Sequence, residues 1–154
     1  MKGKFTKAIT LAIAFAGILT YSSCKKTTEE IINDVTPNAS ATIGGASWTT
    51  GVAAGVTSTV FVVTAKKDKE AIVLTLPSKD KGVYPIDIIS TNASYLPVFD
   101  SVSNAYVAYS GKIEITDINV AKTQIQGTFE FEAANSSLDT IKVKNGILKN
   151  IPVK

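Results

Sequence analysis

The sequence lacks two residue types that carry much of enzyme chemistry and nucleic-acid recognition. None of its 154 residues is histidine, and all 16 basic side chains are lysine. With no histidine and a single cysteine, the chain cannot form a Ser-His or Cys-His nucleophile pair or a zinc site built from those residues. Without arginine it lacks the usual bidentate reader of phosphates and guanine edges. We therefore expect no catalytic residue, no metal, no other cofactor and no nucleic-acid partner.

The first 23 residues have the features of a secretory signal peptide. Lys2, Lys4 and Lys7 precede a largely apolar run over residues 8–19, and the small residues Ser22 and Ser23 follow it. The run is too short for a spanning helix, which needs about 20 apolar residues. We expect the mature protein to lack residues 1–23.

The only cysteine, Cys24, comes directly after this segment, so it cannot form a disulfide within the chain. Tyr21-Ser22-Ser23-Cys24 resembles a bacterial lipobox, in which small residues precede a cysteine that is acylated and becomes the new N-terminus. The resemblance implies that Cys24 is lipidated. The alternative is an ordinary signal peptide followed by an incidental cysteine.

The charge balance of the mature chain is neutral. The full sequence has 16 basic and 13 acidic side chains, and three lysines but no acids lie in residues 1–23, so 13 of each sign remain. Residues 25–40 are mostly polar and charged, which is typical of a flexible tether. The predicted organisation is a signal peptide over residues 1–23, a lipidated cysteine and tether over residues 24–40, and a single domain over residues 41–154.

The stretch of residues 111–151 has the clearest structural pattern. Over residues 124–133, small or apolar residues alternate with polar ones, which predicts a strand with one buried and one solvated face. The residues assigned to the buried face are Ile125, Gly127, Phe129, Phe131 and Ala133. Asn145-Gly146 tolerates the positive φ of a type I′ turn, so we expect a hairpin there. The whole stretch is predicted to be a four-strand antiparallel meander.

Two hairpins are predicted upstream. Gly44-Gly45 marks the turn of the first, and Trp48 follows it as an inward-facing residue. Residues 58–66 and 71–76 are expected to form the second.

The region before the meander has weaker signals. Residues 84–88 are expected to form an edge strand, because Pro85 cannot donate to a ladder. Residues 91–104 are predicted to be the longest loop, and residues 105–110 return to a strand pattern. About nine short strands with regular turn signals predict an all-β fold, an antiparallel sandwich or a barrel.

Several short motifs follow one another along this domain. They are Gly44-Gly-x-x-Trp48, Gly82-x-Tyr84, Tyr109-Ser-Gly-x-Ile113, Gly127-Thr-Phe129-x-Phe131 and Asn145-Gly146. In this order they resemble a family of Bacteroidota lipoproteins of unknown function. The resemblance covers most of residues 43–151. It implies an envelope lipoprotein with an all-β domain, and it implies no activity.

Two groups of side chains are candidates for a functional site. Glu114, Glu130 and Glu132 share the predicted solvated face, and two carboxylates about 5–9 Å apart could act as acid and base on a glycoside. The favoured alternative is ion pairing across strands with lysines, which are Lys112, Lys142 and Lys144.

The second group is aromatic. Tyr95, Phe99, Tyr106 and Tyr109 are close in sequence, and such rings could stack on and hydrogen-bond a glycan or peptide. The alternative is a core rim with buried rings and hydroxyls at the surface.

The sequence thus predicts a non-enzymatic binding or assembly module, anchored by lipid in the cell envelope, at the outer membrane. Its expected partners are the membrane, through the anchor, and a glycan, peptide or envelope protein. Two other functions stay open. An apolar-ligand carrier would need an unfilled barrel interior, and a glycoside-cleaving enzyme would need two convergent carboxylates in a cleft.

Overall fold

Antiparallel strands make up most of the chain that the computed structural model describes, which is residues 38–87, 89–121 and 123–154. The predicted signal peptide, Cys24 and most of the predicted tether lie outside those residues. The first strand begins at Asn38, so it includes three residues that were predicted to belong to the tether. The strands are β1 (Asn38–Ile43), β2 (Ala46–Thr50), β3 (Val52–Thr57), β4 (Phe61–Lys67), β5 (Glu70–Leu76), β6 (Gly82–Pro85), β7 (Asn92–Leu96), β8 (Tyr106–Asn119), β9 (Gln124–Ala134) and β10 (Thr140–Pro152).

Nine of the ten strands form one continuous sheet, in the order β2-β1-β10-β9-β8-β7-β5-β4-β3, while β6 pairs separately with β8. The strands at the two ends of this path, β2 and β3, are consecutive in the chain and separated only by Gly51. The sheet therefore curls until its ends meet at this corner. There the Thr50 hydroxyl donates to the carbonyl oxygen of Lys66 and accepts from the Val52 amide at 3.0 Å.

The C-terminal residues close the sheet further. Val153 forms a parallel bridge with Gly55 on β3. The Lys154 amide donates to the Gly55 carbonyl at 2.9 Å, and the Thr57 amide donates to the Lys154 carbonyl at 3.2 Å. The result is a nearly closed, barrel-like antiparallel sheet, which confirms the predicted all-β fold class.

Irregularities in the three longest strands bend the sheet. The register between β10 and β9 shifts between Val143 and Gly146, and Asn145 has φ +52°. Asn145-Gly146 is therefore a β-bulge inside β10 and not a hairpin turn, so the predicted four-strand meander is a three-strand meander of β8, β9 and β10. The prediction was wrong because a bulge requires the same positive φ that a tight turn does. Bulges of this kind increase local twist and help a sheet to curl into a barrel.

The prediction of a loop over residues 91–104 is also wrong in part. Asn92–Leu96 forms β7, which pairs with β5 on one side and β8 on the other. Its sequence has little strand character, but Ala93, Tyr95 and Leu96 are buried between the neighbouring strands. Tertiary pairing overrides a weak local pattern here. The strand pattern predicted for residues 105–110 is the start of β8, which begins at Tyr106 and continues without interruption into the meander.

The interior of the sheet is filled with apolar side chains. The predicted inner face of β9 is confirmed: Phe129 and Phe131 are 3% and 2% exposed, and their ring centroids lie 6.3 Å apart. The largest fully buried side chains are Phe61, Val63, Ile72, Leu74, Leu76, Ile113, Ile115, Ile125, Val143, Leu148 and Ile151. Trp48 is 3% exposed and joins this core, as predicted. No helix in the described ranges is long and apolar enough to cross a bilayer.

Candidate ligand-binding hollow beside strand β2

A hollow of about 340 Å³ lies at the end of the sheet that carries the β1–β2 and β4–β5 turns. One wall is the start of β2, and the opposite wall is the turn between β4 and β5. Its volume is within the range of small-molecule sites, about 300–1,000 Å³. We call it the β2 hollow. It is lined by Ile43, Ala46, Ser47, Trp48, Lys67, Glu70, Tyr95 and Ile141.

The polar groups of the β2 hollow come from facing strands. The Tyr95 hydroxyl donates to Glu70 Oε1 at 2.9 Å, which fixes the position of this carboxylate. Burial raises the pKa of Tyr95, and the hydrogen bond to Glu70 raises it further, so the hydroxyl keeps its proton. Lys67 is in register with Glu70 across the β4–β5 pair. The hollow therefore offers an ammonium group and an oriented carboxylate on the same wall.

The other wall contains the only tryptophan of the chain, Trp48. Its indole N–H is buried and has no acceptor among the described residues. A buried donor without an acceptor costs about 1–3 kcal/mol. Such groups are rare in folded proteins, and each calls for an explanation that is specific to its site.

The β2 strand also has a free edge. Among the strands of the described residues it pairs only with β1, through a hairpin with the two-residue turn Gly44-Gly45. In such a hairpin the residues that flank the turn, Ile43 and Ala46, exchange hydrogen bonds, and the pattern alternates along the strands. The Gly44 amide donates to the Lys142 carbonyl on β10 at 3.0 Å, which agrees with this alternation. The backbone groups of Ser47 and Thr49 therefore point to the free edge.

The four aromatic residues singled out from the sequence do not form one site. Tyr95 lines the β2 hollow, and its ring centroid is 6.1 Å from that of Tyr106, which packs against the core. Phe99 lies in the loop after β7, with Lys66 Nζ 3.7 Å from its ring centroid. Tyr109 is on the outer surface and 52% exposed, because a register irregularity at this point of β8 interrupts the alternation.

Comparison with known proteins identifies the family of this chain. The model of a domain of unknown function, DUF6252, matches residues 35–152. The chain belongs to the DUF6252 family. Searches of curated proteins and of solved structures gave no match. The family match begins three residues before β1 and ends at the last residue of β10, so it covers the whole barrel-like sheet.

Two of the three glutamates singled out on the outer surface of this DUF6252 domain, Glu130 and Glu132, are paired with lysines as the favoured alternative predicts. Lys112 Nζ is 3.6 Å from Glu130 Oε1, and Lys142 Nζ is 2.6 Å from Glu132 Oε1. Lys142 and the Tyr109 hydroxyl, which donates to Glu132 Oε2 at 3.1 Å, both lower the pKa of Glu132. Glu130 and Glu132 line a shallow hollow of about 170 Å³, about half the volume of the β2 hollow.

Other hollows exist on the DUF6252 domain, and one of them is larger than the β2 hollow. One of about 420 Å³ runs along the outer face near the Gly44-Gly45 turn, where its charged groups are Lys142 and Lys144. Another, of about 320 Å³, lies over the Asn145-Gly146 bulge, and its two charged groups, Lys112 and Glu130, are paired with each other. At the opposite end of the sheet, an apolar hollow of about 260 Å³ lies beside the β8–β9 turn.

Sequence reasoning missed three of the residues that define the β2 hollow. The sequence predicts that Trp48 faces inward but does not assign it to a site, and it assigns no role to Lys67 or Glu70. Trp48 could have been found from its being the only tryptophan. No signal in the sequence marks Lys67 or Glu70, because their role depends on the packing of β2 against the β4–β5 turn.

Proposed function

We propose that this DUF6252 protein is a non-enzymatic binding module, held at the bacterial cell envelope by a lipid on Cys24, with the β2 hollow as its ligand site. The observation that carries the binding function is the combination of groups in that hollow. Glu70 is oriented by Tyr95, Lys67 lies beside it, and the opposite wall is a strand edge with free backbone groups. A hollow in which a few oriented polar groups lie beside apolar side chains is typical of ligand sites.

The chemistry of the available side chains supports binding over catalysis. The β2 hollow holds one carboxylate, whereas glycoside hydrolysis needs two. Glu130 and Glu132 do lie together on the outer face, but each is paired with a lysine. A general acid needs a raised pKa, and the pKa of Glu132 is lowered.

An apolar-ligand carrier is not favoured. A carrier of that kind needs room inside the barrel, and here the inward side chains, such as Phe61, Leu74 and Ile151, are fully buried against one another. The hollows large enough for a ligand lie at the rim or on the outer face.

The lipid anchor is supported by the sequence. Cys24 follows a short apolar run and two serines, and residues 25–37 would separate the lipid from the first strand. A mature chain with equal numbers of positive and negative side chains has no electrostatic attraction to an anionic bilayer. Stable attachment to a membrane would therefore depend on the lipid. The proposed location is the outer membrane, and the proposed partner is a glycan, a peptide or another envelope protein.

Trp48 provides the test of the binding site. Its emission reports on the β2 hollow alone, because the chain has no other tryptophan. We expect a panel of envelope oligosaccharides and short peptides to contain a ligand that shifts this emission saturably. Glu70→Gln should weaken that ligand at least tenfold, while Glu130→Gln on the outer face should leave its affinity unchanged. If no compound shifts the emission, or if both variants bind the ligand with the same affinity, the β2 hollow is not the ligand site.

A further inference from the structure

We propose that the ligand of the β2 hollow is an extended peptide segment, which pairs with the free edge of β2 as an added strand. This inference rests on the proposed binding function and names the class of ligand. It depends on the position of the hollow in the sheet: the hollow lies against the side of β2 where the part of the chain that the structure describes places no neighbouring strand.

The backbone groups of β2 favour pairing with an added strand. Ser47 and Thr49 direct their N–H and C=O groups to the free edge, two residues apart. Two residues of a strand span about 6.8 Å, and an extended peptide repeats its own donors and acceptors at the same spacing. Unpaired strand edges are ready-made templates for such pairing, and several peptide-binding domains use it.

The shape of the gap between β2 and β4 limits where a peptide can lie. At one end the gap is closed, because Thr50 hydrogen-bonds to the Lys66 carbonyl. At the other end it opens into the β2 hollow, where Ala46 and Ser47 face Lys67 and Glu70 across the cavity. A strand entering from the open end would therefore stop beside Thr50.

The side chains of the hollow suit a peptide that ends there. Ile43 and Ile141 provide an apolar floor for one side chain of the added strand. Glu70, held by Tyr95, can accept from a peptide ammonium or amide, and Lys67 can donate to a carboxylate or carbonyl. These groups would fix the register of the peptide, while its backbone would provide most of the affinity.

A saccharide fits the same hollow less well. Sugars are commonly bound by stacking on an open aromatic face, but Trp48 is only 3% exposed and Tyr95 only 7%. Neither ring offers an accessible face. The free groups that remain are mainly those of the strand backbone, which favour a peptide.

The test is selection from a random octapeptide library on the full mature chain, followed by titration of the recovered peptides against Trp48 emission. Because edge pairing depends mainly on the backbone, a random library should contain many binders. We expect bound peptide to slow hydrogen exchange of the Ser47 and Thr49 amides at least tenfold. Exposed amides in other loops should be unchanged.

Two substitutions at one position separate backbone pairing from side-chain contact. Ser47→Pro removes the outward N–H but none of the bonds to β1, so it should weaken peptide binding at least tenfold. Ser47→Ala keeps the N–H and should bind like the wild type. If Ser47→Pro does not fold, the hydrogen-exchange result on the wild-type protein decides.

The results of these experiments test the proposed ligand class, a peptide, separately from the proposed binding function. An oligosaccharide that shifts Trp48 emission when no peptide does would overturn the peptide inference and leave the binding function standing. Peptide binding without protection of Ser47 and Thr49, or with full affinity in Ser47→Pro, would overturn strand pairing. If neither library peptides nor oligosaccharides shift the emission, both proposals are wrong.

Discussion

Tyr95 on β7 donates its hydroxyl to the Glu70 carboxylate at the start of β5, at 2.9 Å. The two residues are diagonal neighbours, since Tyr95 is in register with Ile72. The bond therefore ties together two adjacent strands at the rim of the sheet, and it orients the one carboxylate of the β2 hollow. The proposed binding site of this DUF6252 domain depends on this pair.

Tyr95→Phe should destabilise the domain by about 1–2 kcal/mol, because a hydrogen bond to a charged group at a partly buried position is lost. It should also weaken any ligand of the β2 hollow, since Glu70 loses its fixed orientation. Tyr109→Phe is the matched control: its hydroxyl also donates to a glutamate, but at an exposed position on the outer face. We expect a loss below about 0.5 kcal/mol for the control. Equal losses of stability in thermal melts of the two variants would contradict the stabilising role of the Tyr95–Glu70 hydrogen bond.

Phe131→Ala should cost about 3–5 kcal/mol, because it leaves a cavity beside Phe129 in the filled interior. Thr128→Ala on the same strand, whose side chain is exposed, should cost little. Denaturant unfolding of both variants provides the comparison. A loss under about 1 kcal/mol for Phe131→Ala would mean that β9 faces the other way.

Gly127→Ala should destabilise the domain by about 1–3 kcal/mol, because a Cβ at this position would overlap the carbonyl oxygen of Glu114 on β8. Gly82→Ala is the control, since a Cβ there meets only the Tyr84 ring at an ordinary contact distance of 3.8 Å. Melting temperatures of the two variants measure the difference. Equal melting temperatures would show that β8 and β9 do not approach as closely as described.

The hydrogen bonds of Asp87 predict that the stability of the domain depends on pH. Its Oδ1 accepts from the amides of Ile89, Ser90 and Thr91, and the Ser90 hydroxyl donates to Oδ2 at 2.6 Å. The Ser90 hydroxyl and these amides hold the pKa of Asp87 far below its usual range. The stabilisation by the charged carboxylate is therefore present above about pH 4, the unfolded pKa, and is lost as pH falls through the lowered folded-state pKa.

Asp87→Asn keeps one acceptor oxygen and removes the charge, so the wild type should melt at a higher temperature near pH 7. The difference should shrink steadily as pH falls below about 4. Melts of both proteins across this range measure it. A difference in melting temperature that does not change with pH would show that the loop does not stabilise the ionised form of Asp87.

The fold class was predictable because the alternation over residues 124–133 is long and regular, and one face of it is entirely small or apolar. The turn at Gly44-Gly45 was predictable because both glycines adopt positive φ, +56° and +91°, where other residues are strained. Local patterns of this kind depend only on neighbouring residues. The ion pairs of Glu130 and Glu132 followed from the same alternation.

The elements that sequence reasoning missed depend on distant parts of the chain. β7 is a strand because β5 and β8 flank it, and Asn145-Gly146 is a bulge because β9 continues to pair on both sides of it. The β2 hollow requires the curl of the sheet to bring residues 46–48 opposite residues 67–70, about 20 positions later. No local pattern encodes that approach.

The mass of the N-terminal peptide tests the proposal that a lipid on Cys24 holds this DUF6252 domain at the envelope. One acyl chain binds a bilayer only marginally, whereas two bind it stably, at about 0.8 kcal/mol per buried methylene. We predict that protein from the membrane fraction begins at Cys24 and carries at least two acyl chains, and that Cys24→Ser releases a folded, soluble protein. An unmodified Cys24 in membrane-extracted protein, or a wild-type protein found wholly in the soluble fraction, would contradict the account.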